Sequence, residues 1–182
     1  MMRMFKSIFV SMMSLFAIGA ANPVLIPDIS QRQIDIVYSF TGAELLLFGA
    51  ILYPGGKLPT EEADVVVTLK GPSQSIIVRE KQKLAGLIWV NASSARFESA
   101  PAYYALASSK PLNTLIDERL ASVYGLGFNN LHLSPSSDET PAVRQRFESG
   151  LINMRKKTML FAESRGSVEI TQGVLYRARL FI

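Results

Sequence analysis

Along several short stretches the chain alternates apolar and polar side chains, the period of two that a half-buried strand imposes. In residues 33–40, Ile34, Ile36, Tyr38 and Phe40 alternate with Gln33, Asp35 and Ser39, and Thr41-Gly42 ends the run. Leu45 to Leu52 is nearly continuous apolar, broken by Gly49 and followed by Tyr53-Pro54-Gly55-Gly56. Its brevity and flanking turn predict a buried central strand. Val65, Val67 and Leu69 alternate up to Gly71-Pro72-Ser73, and Ile76–Arg79, Leu84–Val90 and Tyr103–Ala107 repeat the pattern. Arg79, Lys81 and Lys83 with Glu80 then read as a solvated hairpin tip between two strands. Short strands separated by about ten residues predict an antiparallel sandwich or barrel.

The middle of the chain changes period. Leu112, Leu115, Ile116, Leu120 and Val123 recur at three- and four-residue steps between Pro111 and Gly125, which predicts one helix. A second is expected from Pro141 to Lys157, with Thr140 as N-cap, Val143, Phe147, Leu151 and Met154 on one face, and Arg155-Lys156-Lys157 at the negative end of the dipole. Residues 134–138 read as a loop by composition. Strand alternation returns at Val168 and Ile170, turns near Gly173, and resumes with Val174, Tyr176, Ala178, Leu180 and Ile182 on one face, Arg177 and Arg179 on the other. That last run stops inside a strand, which is read either as a strand closing the sheet or as a truncated product.

The first 21 residues follow a different logic. Arg3 and Lys6 precede an apolar run from Ile8 to Gly19, and Gly19 and Ala21 occupy the small-residue positions of a cleavage site before Asn22. A dozen residues reach only about 18 Å as a helix, short of the roughly 30 Å hydrocarbon core, so the segment reads as a secretory signal peptide, against the alternatives of an uncleaved anchor and a buried N-terminal helix. The expected organisation is a signal peptide over 1–21, sandwich strands over 22–110, a helical insertion over 111–165, and returning strands over 166–182. The fold class is mainly β with two helices, an antiparallel β-sandwich of immunoglobulin-like topology preceded by a signal-peptide helix.

Composition narrows the chemistry. The 182 residues are 48% hydrophobic and 19% charged, enough apolar surface for a core. The absence of cysteine removes disulfides, thiol nucleophiles and thiolate metal sites, and a single histidine removes multi-histidine metal sites. Taking Arg3 and Lys6 from the 19 bases, against 15 acids, leaves a processed chain at a formal +2, too balanced to predict a nucleic-acid face. No glycine loop opens a helix, so no nucleotide site is expected, and no cofactor.

Each residue that could carry chemistry also has a structural reading. His132 lies between two leucines without a carboxylate partner in the sequence pattern. Asp35 and Glu44 flank the Thr41-Gly42 turn, but strand alternation places them on a solvated face and at a strand entrance. Asp117 and Glu118 point about 100° apart on a helix and do not converge on one ion. A Ser73/Lys70 pair would need a neutral lysine, and Lys70 is expected to be solvated. Arg144, Arg146, Arg155, Lys156 and Lys157 could face anionic lipid. Trp89, Tyr103 and Tyr104, together with Arg177 and Arg179, form the expected interaction surface.

The ordered series Phe40-Thr41-Gly42-Ala43-Glu44-Leu45-Leu46-Leu47-Phe48-Gly49-Ala50, Val65-Val66-Val67 with Gly71-Pro72, Gly86-Leu87-Ile88-Trp89-Val90-Asn91, Tyr103-Tyr104-Ala105-Leu106-Ala107-Ser108 and Leu175-Tyr176-Arg177-Ala178-Arg179-Leu180 resembles the alphaproteobacterial putative transmembrane protein family. That resemblance implies an N-terminal signal, a β-rich extracytoplasmic region and one C-terminal membrane helix, encoded beside a permease similar to sulfite exporters. It also favours truncation as the reading of the chain end. It supplies no catalytic residues. The expected function is a non-enzymatic periplasmic interaction domain at the inner membrane with a permease as partner, and the alternative is a periplasmic binding protein for a small anion or sugar.

Overall fold

The computed structural model describes residues 22–32, 42–135 and 140–181. The expected leader over 1–21, the expected strand over 33–40 with Asp35, part of the loop over 134–138, and Ile182 lie outside the described residues. The strands are β1 (Val24–Ile29), β2 (Glu44–Leu52), β3 (Val66–Lys70), β4 (Ser73–Leu84), β5 (Ile88–Pro101), β6 (Tyr104–Ser108), β7 (Ser134–Pro135), β8 (Phe161–Arg165), β9 (Val168–Thr171) and β10 (Leu175–Phe181). The helices are α1 (Leu112–Leu115), α2 (Glu118–Tyr124) and α3 (Pro141–Lys157), with a 3-10 turn at Phe128–Asn130.

Two sheets face one another. The first has the order β1-β2-β10-β9 and is antiparallel throughout, and the second has the order β3-β6-β8. Alternation along β10 turns Tyr176, Ala178 and Leu180 inward, where they meet Ala105 and Ala107 of β6 and Val65. The opposite side of the second sheet is also covered. Tyr104, Leu106 and Phe161 point away from the first sheet and pack under Leu112, Leu126, Phe128 and Ile152, so helical segments form a third layer. Burial on both faces explains why β6 is buried at every position.

β3 and β4, and likewise β5 and β6, are two halves of long strands bent at the same level. Gly71 N–H donates to the Tyr103 carbonyl at 2.8 Å and Ala102 N–H to the Pro72 carbonyl at 2.9 Å, so the hairpin stays paired through the bend. Beyond it, β4 and β5 join β7 in a third sheet. Phe97 and Ala95 of β5 bury against Phe147 and Leu151 of α3.

Several expectations change. The sheet system is not wholly antiparallel, because β6 and β8 pair in parallel. The helical insertion between them is the crossover that a parallel pair requires. The helix expected over 111–125 is broken in two, giving three helices among the described residues. Ile116 is extended, and the Asp117 carboxylate accepts a hydrogen bond from Leu120 N–H at 2.7 Å, starting α2 afresh. Gly125 closes α2 in the left-handed conformation as expected, and α3 spans Pro141–Lys157 as expected, although the Thr140 side chain makes no capping bond. The charged stretch 79–83 is not a hairpin tip. It lies within β4, and the chain turns at Ala85 and Gly86, both at positive φ. β1 was not foreseen: among the described residues it is an exposed edge strand, and it contains Pro27, a residue tolerated at sheet edges.

Candidate functional site

The residues expected to share one surface are distributed among four environments. Tyr104 is fully buried in the helix-covered core. Its hydroxyl accepts from Gly127 N–H at 2.8 Å and donates toward the Gly125 carbonyl at 3.4 Å, and burial pushes its pKa up to about 12. Tyr103 is half-buried beside the sandwich core and its hydroxyl donates to the Phe181 carbonyl, while burial raises its pKa as well. Both tyrosines hold layers together. Trp89 stands on the β4–β5 hairpin, 62% exposed. Arg177 and Arg179 project from the outer face of β10.

The environment of those arginines was not legible in the sequence. Residues directly opposite in an antiparallel register share a face. Val24 pairs with Leu52, Ile26 with Ala50, Ala50 with Leu175, and Phe48 with Arg177. The outer face of the first sheet is therefore a contiguous ladder of Val24, Ile26, Phe48, Leu52 and Leu175, all exposed, continuing past Arg177 and Arg179 to exposed Phe181. Glu169 stands opposite Arg177, and Glu44 pairs with Arg179 at 3.6 Å. Acids facing both cations make this a poor anion site and a good polar border for an apolar patch.

A cleft of about 700 Å³ opens between the second sheet and the helical layer. Leu106, Leu112, Ile116 and Phe128 line it, with Asp117, Lys156 and Glu163 among the charged residues. These charges already have structural duties. Asp117 caps α2, Glu163 Oε1 accepts from Phe128 N–H at 2.5 Å, and the Lys156 ammonium lies 4.9 Å from the Phe128 ring centre. His132 is outside this cleft and its Nε2 is 2.8 Å from the Ser122 carbonyl, so it donates there and ties the loop to α2. Among the described residues no three carboxylates or imidazoles gather as a metal site. The basic residues of α3 do not act as one face: Arg146 pairs with Glu80 at 3.2 Å and Lys156 covers Phe128.

The described residues thus define a mainly β domain with helices on one side and exposed apolar strips on two of its sheets. The model of the Alph_Pro_TM family, described as putative transmembrane protein, matches residues 24–182, and the chain belongs to that family. No curated protein and no solved structure matches it. Among the described residues no helix is long and apolar enough to cross a membrane.

Proposed function

We propose that this chain is an exported, non-enzymatic interaction domain of a membrane-attached protein, working on the periplasmic side of the inner membrane by contact with a permease similar to sulfite exporters. The observation that carries the reading is the outer face of the β1-β2-β10-β9 sheet. Six large apolar residues stand exposed there with Arg177 and Arg179 among them, a composition that marks protein interfaces rather than solvated sheet faces. Membership of a transmembrane family supports the location, and the charged-then-apolar pattern of residues 1–21 supports export. Two facing sheets also support the immunoglobulin-like reading of the sandwich, with the parallel β6–β8 pair as a departure.

The test is photocrosslinking in cells from a residue analogue placed at Phe48, with a second at Gln145 on an exposed turn of α3 as control. The expected result is an adduct between the Phe48 position and an integral membrane permease, absent from Gln145. Adducts with soluble proteins alone, or a chain recovered from the cytoplasm, would overturn the reading. For the alternative, an anion or sugar site on the arginine face, Trp89 and Tyr104 lie elsewhere, and Arg177 and Arg179 instead line a cleft of about 270 Å³ with Ser164, Ser167, Glu169 and Phe181.

A further inference from the structure

The β4–β5 hairpin continues well beyond the part that touches the body. Val78 and Ala95 are the outermost of its apolar residues packed against α3, and Leu84 lies six residues further along β4. At about 3.3 Å per residue the arm projects roughly 20 Å. Nearly every residue from Lys81 to Trp89 and on to Ala92 is open to solvent on both faces of the ribbon. Such a ribbon exposes side chains in every direction, and its end is apolar.

Leu84, Leu87, Ile88 and Trp89 are between 61% and 84% exposed, and Val90 is exposed too. The register puts Leu84 opposite Ile88 and Gln82 opposite Val90 on one face, and Lys83 opposite Trp89 and Lys81 opposite Asn91 on the other. Apolar groups therefore cap the tip on both faces and at the turn, an arrangement suited to a medium that surrounds it rather than to a partner on one side. The charges are equally one-sided. Lys81 and Lys83 immediately precede the tip, no acid occurs between Lys81 and Phe97, and the Lys83 ammonium sits 5.4 Å from the centre of the Trp89 ring. Tryptophan with flanking lysine is the chemistry of the headgroup boundary, where the ring and the aliphatic stem enter and the charge stays out. Three residues from Val90 to the turn span about 10 Å, the depth of interfacial insertion.

We propose that the tip of this arm, Leu84 to Val90, beds into the interface of an anionic lipid bilayer, with Lys81 and Lys83 at the headgroups. This rests on the placement of the domain at a membrane and is independent of the permease. Trp89 is the single tryptophan of the sequence, so its emission reports the tip alone. The full chain is mixed with vesicles of phosphatidylglycerol and phosphatidylcholine. The expected result is a blue shift of Trp89 emission and its quenching by brominated acyl chains, both absent with phosphatidylcholine alone. The Leu87→Asp/Ile88→Asp double variant lowers partitioning at least about tenfold. Neutralising Lys81 and Lys83 as glutamines lowers it about fivefold per charge. Both variants alter exposed positions, and an unchanged thermal midpoint shows that the body is intact.

Binding of the chain with Trp89 emission unshifted would mean attachment through another segment and would overturn the proposal. So would equal uptake by neutral vesicles, or a blue shift produced by concentrating the protein without lipid, which would indicate pairing between arms. Pure vesicles contain no permease. A vesicle response without the Phe48 adduct leaves the lipid contact standing and removes the partner, and the converse pair of results does the reverse.

Discussion

Replacing Tyr104 by Phe removes one oxygen and leaves the ring in place between Phe128, 5.9 Å away, and Phe161, 6.0 Å away. The lost oxygen accepts the Gly127 N–H and faces the Gly125 carbonyl, and both glycines are buried. The variant therefore strands a buried backbone donor without shrinking the core. Leaving such a group unsatisfied costs about 1–3 kcal/mol. For a domain of this size each kcal/mol moves the thermal midpoint by roughly 2–4 °C, so a loss on the order of 5 °C is expected. Tyr103→Phe is the internal control. Its hydroxyl meets the Phe181 carbonyl at an exposed strand end, where water replaces the lost partner, and its cost should stay within about 0.5 kcal/mol. Thermal unfolding followed by far-UV circular dichroism measures both. Equal midpoints for the two variants, or an unchanged Tyr104→Phe, would refute the assignment of Tyr104 as an interior strut and return it to the surface.

Three further outcomes follow from the same packing. Because burial holds the Tyr104 pKa at about 12 against an ordinary 10.0, the unfolded chain releases that proton first, so its stabilising contribution is intact below pH 10 and lost as pH rises through 12; urea midpoints should fall over this interval, less steeply in Tyr104→Phe. Phe97→Ala empties a site with no solvent exposure between β5 and α3 and should cost about 3–5 kcal/mol by equilibrium unfolding, and a cost under about 1 kcal/mol would mean that α3 does not anchor the arm. Gly49→Ala would place a Cβ 2.0 Å from the Ile26 carbonyl oxygen and 2.8 Å from the Tyr176 hydroxyl, so β1 must separate from β2, with a loss of roughly 1–3 kcal/mol and faster amide exchange across β1 as the readout.

Legibility in the sequence tracked how completely each segment's neighbours were implied by its own period. β10 and α3 were readable because one face of each is buried and the other solvated, so Tyr176, Ala178 and Leu180, and likewise Phe147 and Leu151, announce their orientation. The tyrosine pair was not. Adjacent strand residues face opposite sides, and since the second sheet is covered on both, nothing local says which ring is interior. The first helix was overextended because the period continues through Ile116, whereas Asp117 wins as a cap. The arm was misplaced because a lysine-rich stretch looked more turn-like than Ala85-Gly86, although Gly86 is the residue that the positive φ favours. The apolar outer face of the first sheet depends on a register between β1, β2 and β10 that no short window contains.

The misread hairpin changes the functional argument more than any other element. Had residues 79–83 formed the turn, the apolar segment that follows would have been available to the core. The strands β3 and β6 of the second sheet continue through a bend into the arm, and the arm's base is braced across its own two strands and against α3. Phe97 is locked under α3, Glu80 accepts from Ser93 at 2.9 Å, and Arg146 of α3 reaches that same Glu80 carboxylate. An element held this firmly at its base and left bare at its end has a defined direction relative to the body. The large apolar side chains at its end are costly to keep in water, and none of them belongs to a core cluster of the described residues. Under the two proposals above, they and the outer face of the first sheet are two contacts of the same domain, one with the bilayer and one with a protein embedded in it.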